Sequence, residues 1–368
     1  MKTLILMLIG IIALPQLSGA QNNQLPDSVF SGKQGTFHVQ GVVADKVKGF
    51  IYFSFTDRLV KTDLNGKMIG SVTGFIGHLG DLDITEDGKI YGSLEYKHDA
   101  IGIGITKNLG ITTNQKDGFY IAIFDGARIV HPNMNAEKED LLRTVFIKEA
   151  TDDYAAVIKT GDKVIPHRFG CSGIDGVAFA PAIGEKASSK NFLYVAYGIY
   201  GDNERSDNDN QVILKYDISD WQKYEKPLSQ SNLHQSGPEK PLDKYFVKTG
   251  NTRYGIQNLA YDAYSGNLFA AVYKGSKSQY PNYDLFVIDG KKKPTKDVLI
   301  ANKQQVAIKS LTLLGGWNFK WGATGLCPLG DGTFYISHNA KAKDGEQQTT
   351  LFKYKWLGAE KEPFLLVK

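Results

Sequence analysis

Cysteine is nearly absent, at 2 of 368 residues, which excludes a disulfide scaffold and a structural zinc cluster. Proline is scarce at 12, and the 39 glycines follow no three-residue period, which excludes collagen-like and low-complexity chains. Neither charge sign is in excess: 43 basic residues face 39 acidic ones, so nothing global calls for a nucleic-acid partner. After the first 14 residues no apolar run reaches the roughly 18 that a membrane helix needs. The chain also lacks a P-loop, a His-Glu-x-x-His helix and a Gly-x-Ser-x-Gly elbow. Disorder is excluded in turn, because a chain that is 42% hydrophobic can bury a core.

What is present begins with an export signal. Lys2, an apolar run over 4–14, the stop at Pro15-Gln16 and the small residues Ser18 and Ala20 together read as a signal peptide over 1–20. The expectation is cleavage near Ala20-Gln21, a secreted or periplasmic product, and one domain over 21–368. Cys171 and Cys327 read as buried free thiols.

Within that domain one phrase recurs five times: a polar residue, an apolar run, a turn, then an aromatic strand. It runs Gln40-Gly41-Val42-Val43 into Ile51-Tyr52-Phe53-Ser54, and Asp81-Leu82-Asp83-Ile84 into Ile90-Tyr91-Gly92-Ser93. It returns as Asp175-Gly176-Val177-Ala178-Phe179 into Leu193-Tyr194-Val195-Ala196, and as Asn258-Leu259-Ala260-Tyr261 into Leu268-Phe269-Ala270-Ala271. The last copy is Thr324-Gly325-Leu326-Cys327 into Phe334-Tyr335-Ile336-Ser337. A third strand follows each copy and ends in Asp63, Asp125, Asp217 and Asp289 in the first four, where Asp bonds its own turn. Fourth strands are legible in the first, third and fifth copies.

Repeated units of four short antiparallel strands predict an all-β chain folded as a β-propeller. Five blades are counted. A degenerate sixth within 127–170 is the alternative, and a β-sandwich is the competing fold. The segment 28–37 is placed to close the ring by pairing with the last blade.

In such a ring the first strand lines the axis, and the loops entering it share a face with the loops between second and third strands. That face carries the long segments 98–117, 199–211, 274–283 and 338–348, so the functional site is expected there. The residues opening the first strands, Gln40, Asp81, Asp175, Asn258 and Thr324, are all polar. Oxygen donors of this kind suit Ca²⁺, with Gln40, Asp81, Asp175 and Asn258 as the metal set; a water-filled channel mouth explains the same polarity. His38, His78, Asp81 and Asp175 are the candidate catalytic groups, the imidazoles as proton carriers. Glu95, His98, Arg168, Arg253, Trp317, Trp321 and Thr324 are the candidate substrate contacts, cations for an acidic group and rings for a flat face. The acidic run 202–210 reads as a solvated loop.

The phrase Asp175-Gly176-Val177-Ala178-Phe179 resembles the inner-strand phrase of calcium-dependent six-bladed propellers, the gluconolactonase and paraoxonase-like group. The count of five resembles instead the five-bladed glycoside hydrolase propellers. The first resemblance implies a central Ca²⁺ held by inner-strand carboxylates and amides; the second implies paired acids about the axis. Gln40-Gly41 stands where the first group carries Glu-Gly-Pro. Two functions follow as expectations. One is a hydrolase acting on a lactone, ester, phosphoester or glycoside. The other is a non-catalytic propeller that binds a glycan, peptide or protein. The ligand is placed on the long-loop face, without nucleic acid or a membrane span.

Overall fold

The computed structural model describes residues 25–112, 115–160, 163–185, 190–302 and 304–368. The expected signal peptide and its cleavage site near Ala20-Gln21 lie outside the described residues. The chain forms a five-bladed β-propeller, each blade a mainly antiparallel sheet. The first strands are Val39–Asp45, His78–Ile84, Cys171–Ala180, Thr252–Asp262 and Leu326–Pro328. The second strands are Phe50–Phe55, Lys89–Tyr96, Phe192–Ile199, Asn267–Lys274 and Thr333–Lys341. Strand alternation gives each sheet two apolar faces, and neighbouring blades cover both. Tyr52, Tyr194, Phe269 and Tyr335, all second-strand residues, are almost wholly buried.

The ring is closed as the sequence indicates. Ser28–Lys33 pairs antiparallel with Gln347–Trp356 of the last blade, and Tyr335 donates its hydroxyl to the Pro26 carbonyl at 2.7 Å. The Asp residues ending third strands do the expected turn work: the Asp63 carboxylate accepts from the amides of Asn65 and Lys67, and Asp289 from those of Lys291 and Lys292.

Three expectations are corrected. Among the described residues no sixth blade forms in 127–170. Met134–Asn135 joins the edge of blade one, Leu142–Phe146 is the fourth strand of blade two, and Val157–Thr160 forms a separate hairpin with Lys163–Pro166. Their short strands lack a two-faced sheet to insert between neighbours. Most of the segment 338–348 is not a long loop, because its strands extend the last hairpin out to the Lys341↔Gln347 pair. The acidic run 202–210 is half buried. Arg205 grips Asp207 at 2.8 Å, and the Lys277 ammonium donates to Asn208 at 2.8 Å and pairs with Asp209. Arg205 from within the run and Lys277 brought from elsewhere in the fold together neutralise what local composition marks as solvated.

The two cysteines are both buried and free. No helix among the described residues is long and apolar enough to cross a membrane.

Candidate functional site

The inner strands do not run regularly into the channel mouth. Irregularities in pairing fall between Val39 and Gly41, Leu79 and Leu82, Ile174 and Val177, and Ile256 and Asn258. A bulge leaves a residue out of the ladder and re-aims its side chain. Here the re-aimed residues include Gln40, Asp81, Asp175 and Gln257. The backbones also crowd together: a Cβ on Gly41 would lie 2.7 Å from the Asp81 Cα.

A cavity of about 480 Å³ opens at this mouth. Its polar floor includes His38, Gln40, Thr56, His78, Lys97, Ser172, Asp175 and Gln257. Helix α1 (Ala100–Asn108) lies within the long segment between the second and third strands of blade two and forms one wall. Asp99 starts it by accepting the amides of Ile101 and Gly102 at 3.0 Å each.

Under the floor sits a dense ion cluster. Lys97 lies 2.8 Å from Glu95 and 3.7 Å from Asp99, and its ammonium donates to the Ser172 carbonyl at 2.9 Å. Glu95 accepts the Ile174 amide at 2.8 Å and lies 3.2 Å from His78 Nδ1. Burial alone would push the Glu95 carboxyl up, but Lys97 and His78 hold it below its ordinary value. An ionised carboxylate only accepts, so His78 Nδ1 carries the proton in this contact and Nε2 is left for other chemistry.

Asp175 behaves in the opposite way. Burial and the negative charge of Glu95 push its carboxyl up to about 7. Gln257 donates to it at 2.8 Å. Ligand atoms of His78, Glu95 and Asp175 all lie within 4.8 Å of one another. Gly173 is what permits this approach: its φ is +130°, and a Cβ there would stand 1.8 Å from Glu95 Oε1.

The structure brings together His38, His78, Gln40, Asp175 and Arg253 around the cavity, with Glu95 directly beneath. It does not bring the rest of the expected set there. Asp81 reaches across the axis instead, and its Oδ2 accepts the amides of Val177 at 3.0 Å and Leu259 at 2.9 Å. Asn258 donates to the Gln40 carbonyl at 2.7 Å and accepts from Gly325 and Leu326. Both side chains spend their polar atoms joining inner strands. The Gln40 side chain donates to Thr56 at 3.1 Å.

The remaining candidates have other partners. His98 is exposed and contacts Asp117 at 2.9 Å, and Arg168 pairs with Asp153 at 2.9 Å. Trp317 ends the fourth strand of blade four and packs edge-on against Trp356. Trp321 stacks on His338 with ring centroids 3.9 Å apart. Thr324 is buried and accepts from Asn339.

These placements bear on the expected cation. The oxygen set Gln40, Asp81, Asp175 and Asn258 does not converge, since two members are consumed by backbone amides. The set that does converge already holds an ammonium: Lys97 supplies the positive charge that a divalent ion would bring, and such an ion would have to displace it. The residues present therefore do not fit a resident Ca²⁺. Sequence reading missed Lys97, although Glu95, Lys97 and Asp99 alternate with the period of a strand and so share a side.

No family model matches the chain, and no curated protein matches it in sequence. Among solved structures it is similar to an arabinanase from Bacillus subtilis, at 11% identity over 89% of this chain and 97% of that one, with a TM-score of 0.39. It is similar to a putative gluconolactonase at 12% identity, over 89% and 92% of the two chains, with a TM-score of 0.34. It is also similar to a calcium-binding protein, regucalcin, from Agrobacterium tumefaciens at 12% identity, over 91% and 97%, with a TM-score of 0.34. At TM-scores this low the likenesses carry no argument about activity.

Proposed function

We propose that the channel mouth is a metal-free acid–base site that hydrolyses a small carboxylic ester or lactone. The observation that supports this reading is the convergence of His78, Glu95 and Asp175 at the floor of a cavity large enough for a small molecule. Glu95 is a positioning residue that fixes the His78 tautomer. His78 Nε2 takes a proton from water as the water oxygen bonds to the acyl carbon. The acyl C–O bond breaks, and the leaving oxygen takes the Asp175 proton. Proton exchange with solvent then resets both groups. A carboxyl whose pKa lies about 7 suits this use, because a catalytic acid works best near the working pH.

A glycosidase reading is less well supported. It needs a second carboxylate free to act as nucleophile or base, whereas the Glu95 oxygens are engaged by Lys97, His78 and the Ile174 amide.

The test is a panel of p-nitrophenyl esters and lactones assayed with wild type, His78→Ala and Asp175→Asn. Turnover by wild type and its loss by about a hundredfold or more in both variants is the expected result. Ligand binding without turnover by the wild type would replace this reading with a non-catalytic binding propeller.

Asp175 also sets a pH dependence of stability. Its folded pKa stands above the ordinary 3.8. The folded state therefore holds the proton more tightly, and that stabilisation is complete below about 3.8 and is lost as the pH rises through about 7. Asp83, pushed up to about 6 by burial, acts in the same sense. Asp175→Asn removes one ionising carboxyl while leaving an acceptor for Gln257. Thermal melts at about pH 5 and about pH 9 should show a smaller loss of stability in the variant than in wild type. An equal loss in both proteins would contradict the assignment.

Chelation is expected to leave the melting temperature unchanged. A fall on adding EDTA, reversed by Ca²⁺, would restore the calcium reading.

A further inference from the structure

The wall of the cavity carries information that the acid–base floor does not. Helix α1 turns Ala100, Ile101, Gly104 and Ile105 toward the cavity, the spacing of one helical face. Two of its glycines differ in kind. At Gly102 a Cβ would lie 1.7 Å from the Lys97 carbonyl, so packing requires glycine. At Gly104 a Cβ would meet nothing within 4 Å. Glycine is among the poorest helix formers, and neither packing nor a positive φ calls for it at this position. What it does is leave open the volume that a side chain would take from the cavity.

Across the axis, blade four presents Tyr254 and Tyr273, their rings 6.2 Å apart and nearly perpendicular. Tyr254 is held at a φ of 67°, a conformation that bulky residues rarely adopt and that clusters at ligand sites. Beside it Arg253 is exposed on the cavity lining and makes no ion pair among the described residues. The cavity thus joins an apolar slot, bounded by helix and tyrosines, to a cation at the rim that lies 5.9 Å over the Tyr254 ring and has no carboxylate partner among the described residues.

We propose that this slot is an acyl-binding subsite for medium-length apolar chains, with Gly104 setting its depth and Arg253 receiving a carboxylate carried by the ligand. The assignment rests on the reading of the floor as an ester- or lactone-hydrolysing site, and it adds the substrate class. It predicts that longer acyl chains bind better than short ones, and that anionic apolar molecules bind even without reaction.

Two measurements test it on the whole protein. The first compares hydrolysis of p-nitrophenyl acetate and p-nitrophenyl octanoate by wild type, Gly104→Ala and Gly104→Leu. Gly104→Leu should lower kcat/KM for the octanoate by about tenfold or more while changing the acetate by less than about twofold. Gly104→Ala should fall between, and melting temperatures that do not drop in either variant show that the helix is intact. The second titrates sodium octanoate and octan-1-ol into the same proteins and into Arg253→Gln by calorimetry. Octanoate should bind wild type, lose about tenfold in Gly104→Leu, and weaken in Arg253→Gln, whereas octan-1-ol should not respond to the Arg253 change. Octanoate binding of that pattern without any ester turnover would overturn the hydrolase reading and leave the subsite standing. Turnover of both esters with no preference and no response to Gly104→Leu would overturn the subsite and leave the hydrolase reading. Absence of both turnover and octanoate binding would overturn the two together.

Discussion

Lys97→Met is expected to destabilise the protein by about 3–5 kcal/mol, the usual loss when one partner of a buried ion pair is removed. The substitution keeps the length and apolar stem of the side chain but deletes the ammonium. The Lys97 side chain is only 4% exposed, so no water replaces the lost charge easily. Glu95 is then left buried with His78 and one backbone amide, and the Ser172 carbonyl loses its side-chain donor. Asp99 loses a neighbouring cation while still capping α1 and accepting the Tyr200 hydroxyl at 2.9 Å. Much of the cost comes from the uncompensated Glu95 charge, so Lys97→Met combined with Glu95→Gln should recover a large part of it. Urea denaturation of the two single variants and the double checks this directly. A loss below about 1 kcal/mol for Lys97→Met alone, the level of an exposed pair, would show that the ammonium is not what neutralises the cluster.

Asp81→Ala carries the second large effect, and its contrast with Asp81→Asn separates two roles. The alanine leaves the amides of Val177 and Leu259 without an acceptor at the crowded axis. Each buried unpaired donor costs about 1–3 kcal/mol, and the two belong to different blades, so a total of about 2–6 kcal/mol is expected. Asparagine keeps a carbonyl oxygen where Oδ2 stands and removes a carboxyl whose pKa burial pushes well up. Asp81→Asn should therefore fold with near wild-type stability, and the comparison should shift in its favour as the pH rises, because only the wild type has a carboxyl there to ionise. Chemical denaturation at about pH 6 and about pH 8 measures this difference. Ester hydrolysis should also survive Asp81→Asn. A stable Asp81→Asn protein that has lost turnover would return Asp81 to the catalytic set.

Asp81 and Asp175 show why the site was only partly legible in the sequence. Both are an aspartate opening a first strand, and by pattern they are equivalent. In the ring they differ because Asp81 meets amides of blades three and four, while Asp175 meets Gln257 and the field of Glu95. The partners stand about 80 to 180 positions away along the chain, beyond the reach of any local motif. The aromatics Trp317 and Trp321 mislead for a related reason. Proximity to an inner strand in sequence suggests the rim, but an outer strand ends there as well, and the rings pack among those of blade five. Lys97 is hard to read for a different reason: a lysine just after a strand normally faces solvent, whereas here it is buried against Glu95.

By itself the sequence determined the first three strands of every blade, a count of five repeats, the closing strand and the face that bears the cavity. Those features follow from alternation, turn residues and repeat length, which act over a few neighbours and need no knowledge of the ring. Only the tertiary structure decided which of the polar groups at the axis are spent on holding blades together and which remain free to act. That choice depends on how bulged strands from five blades converge on one point, where each lone pair is either claimed by a distant amide or left facing the cavity.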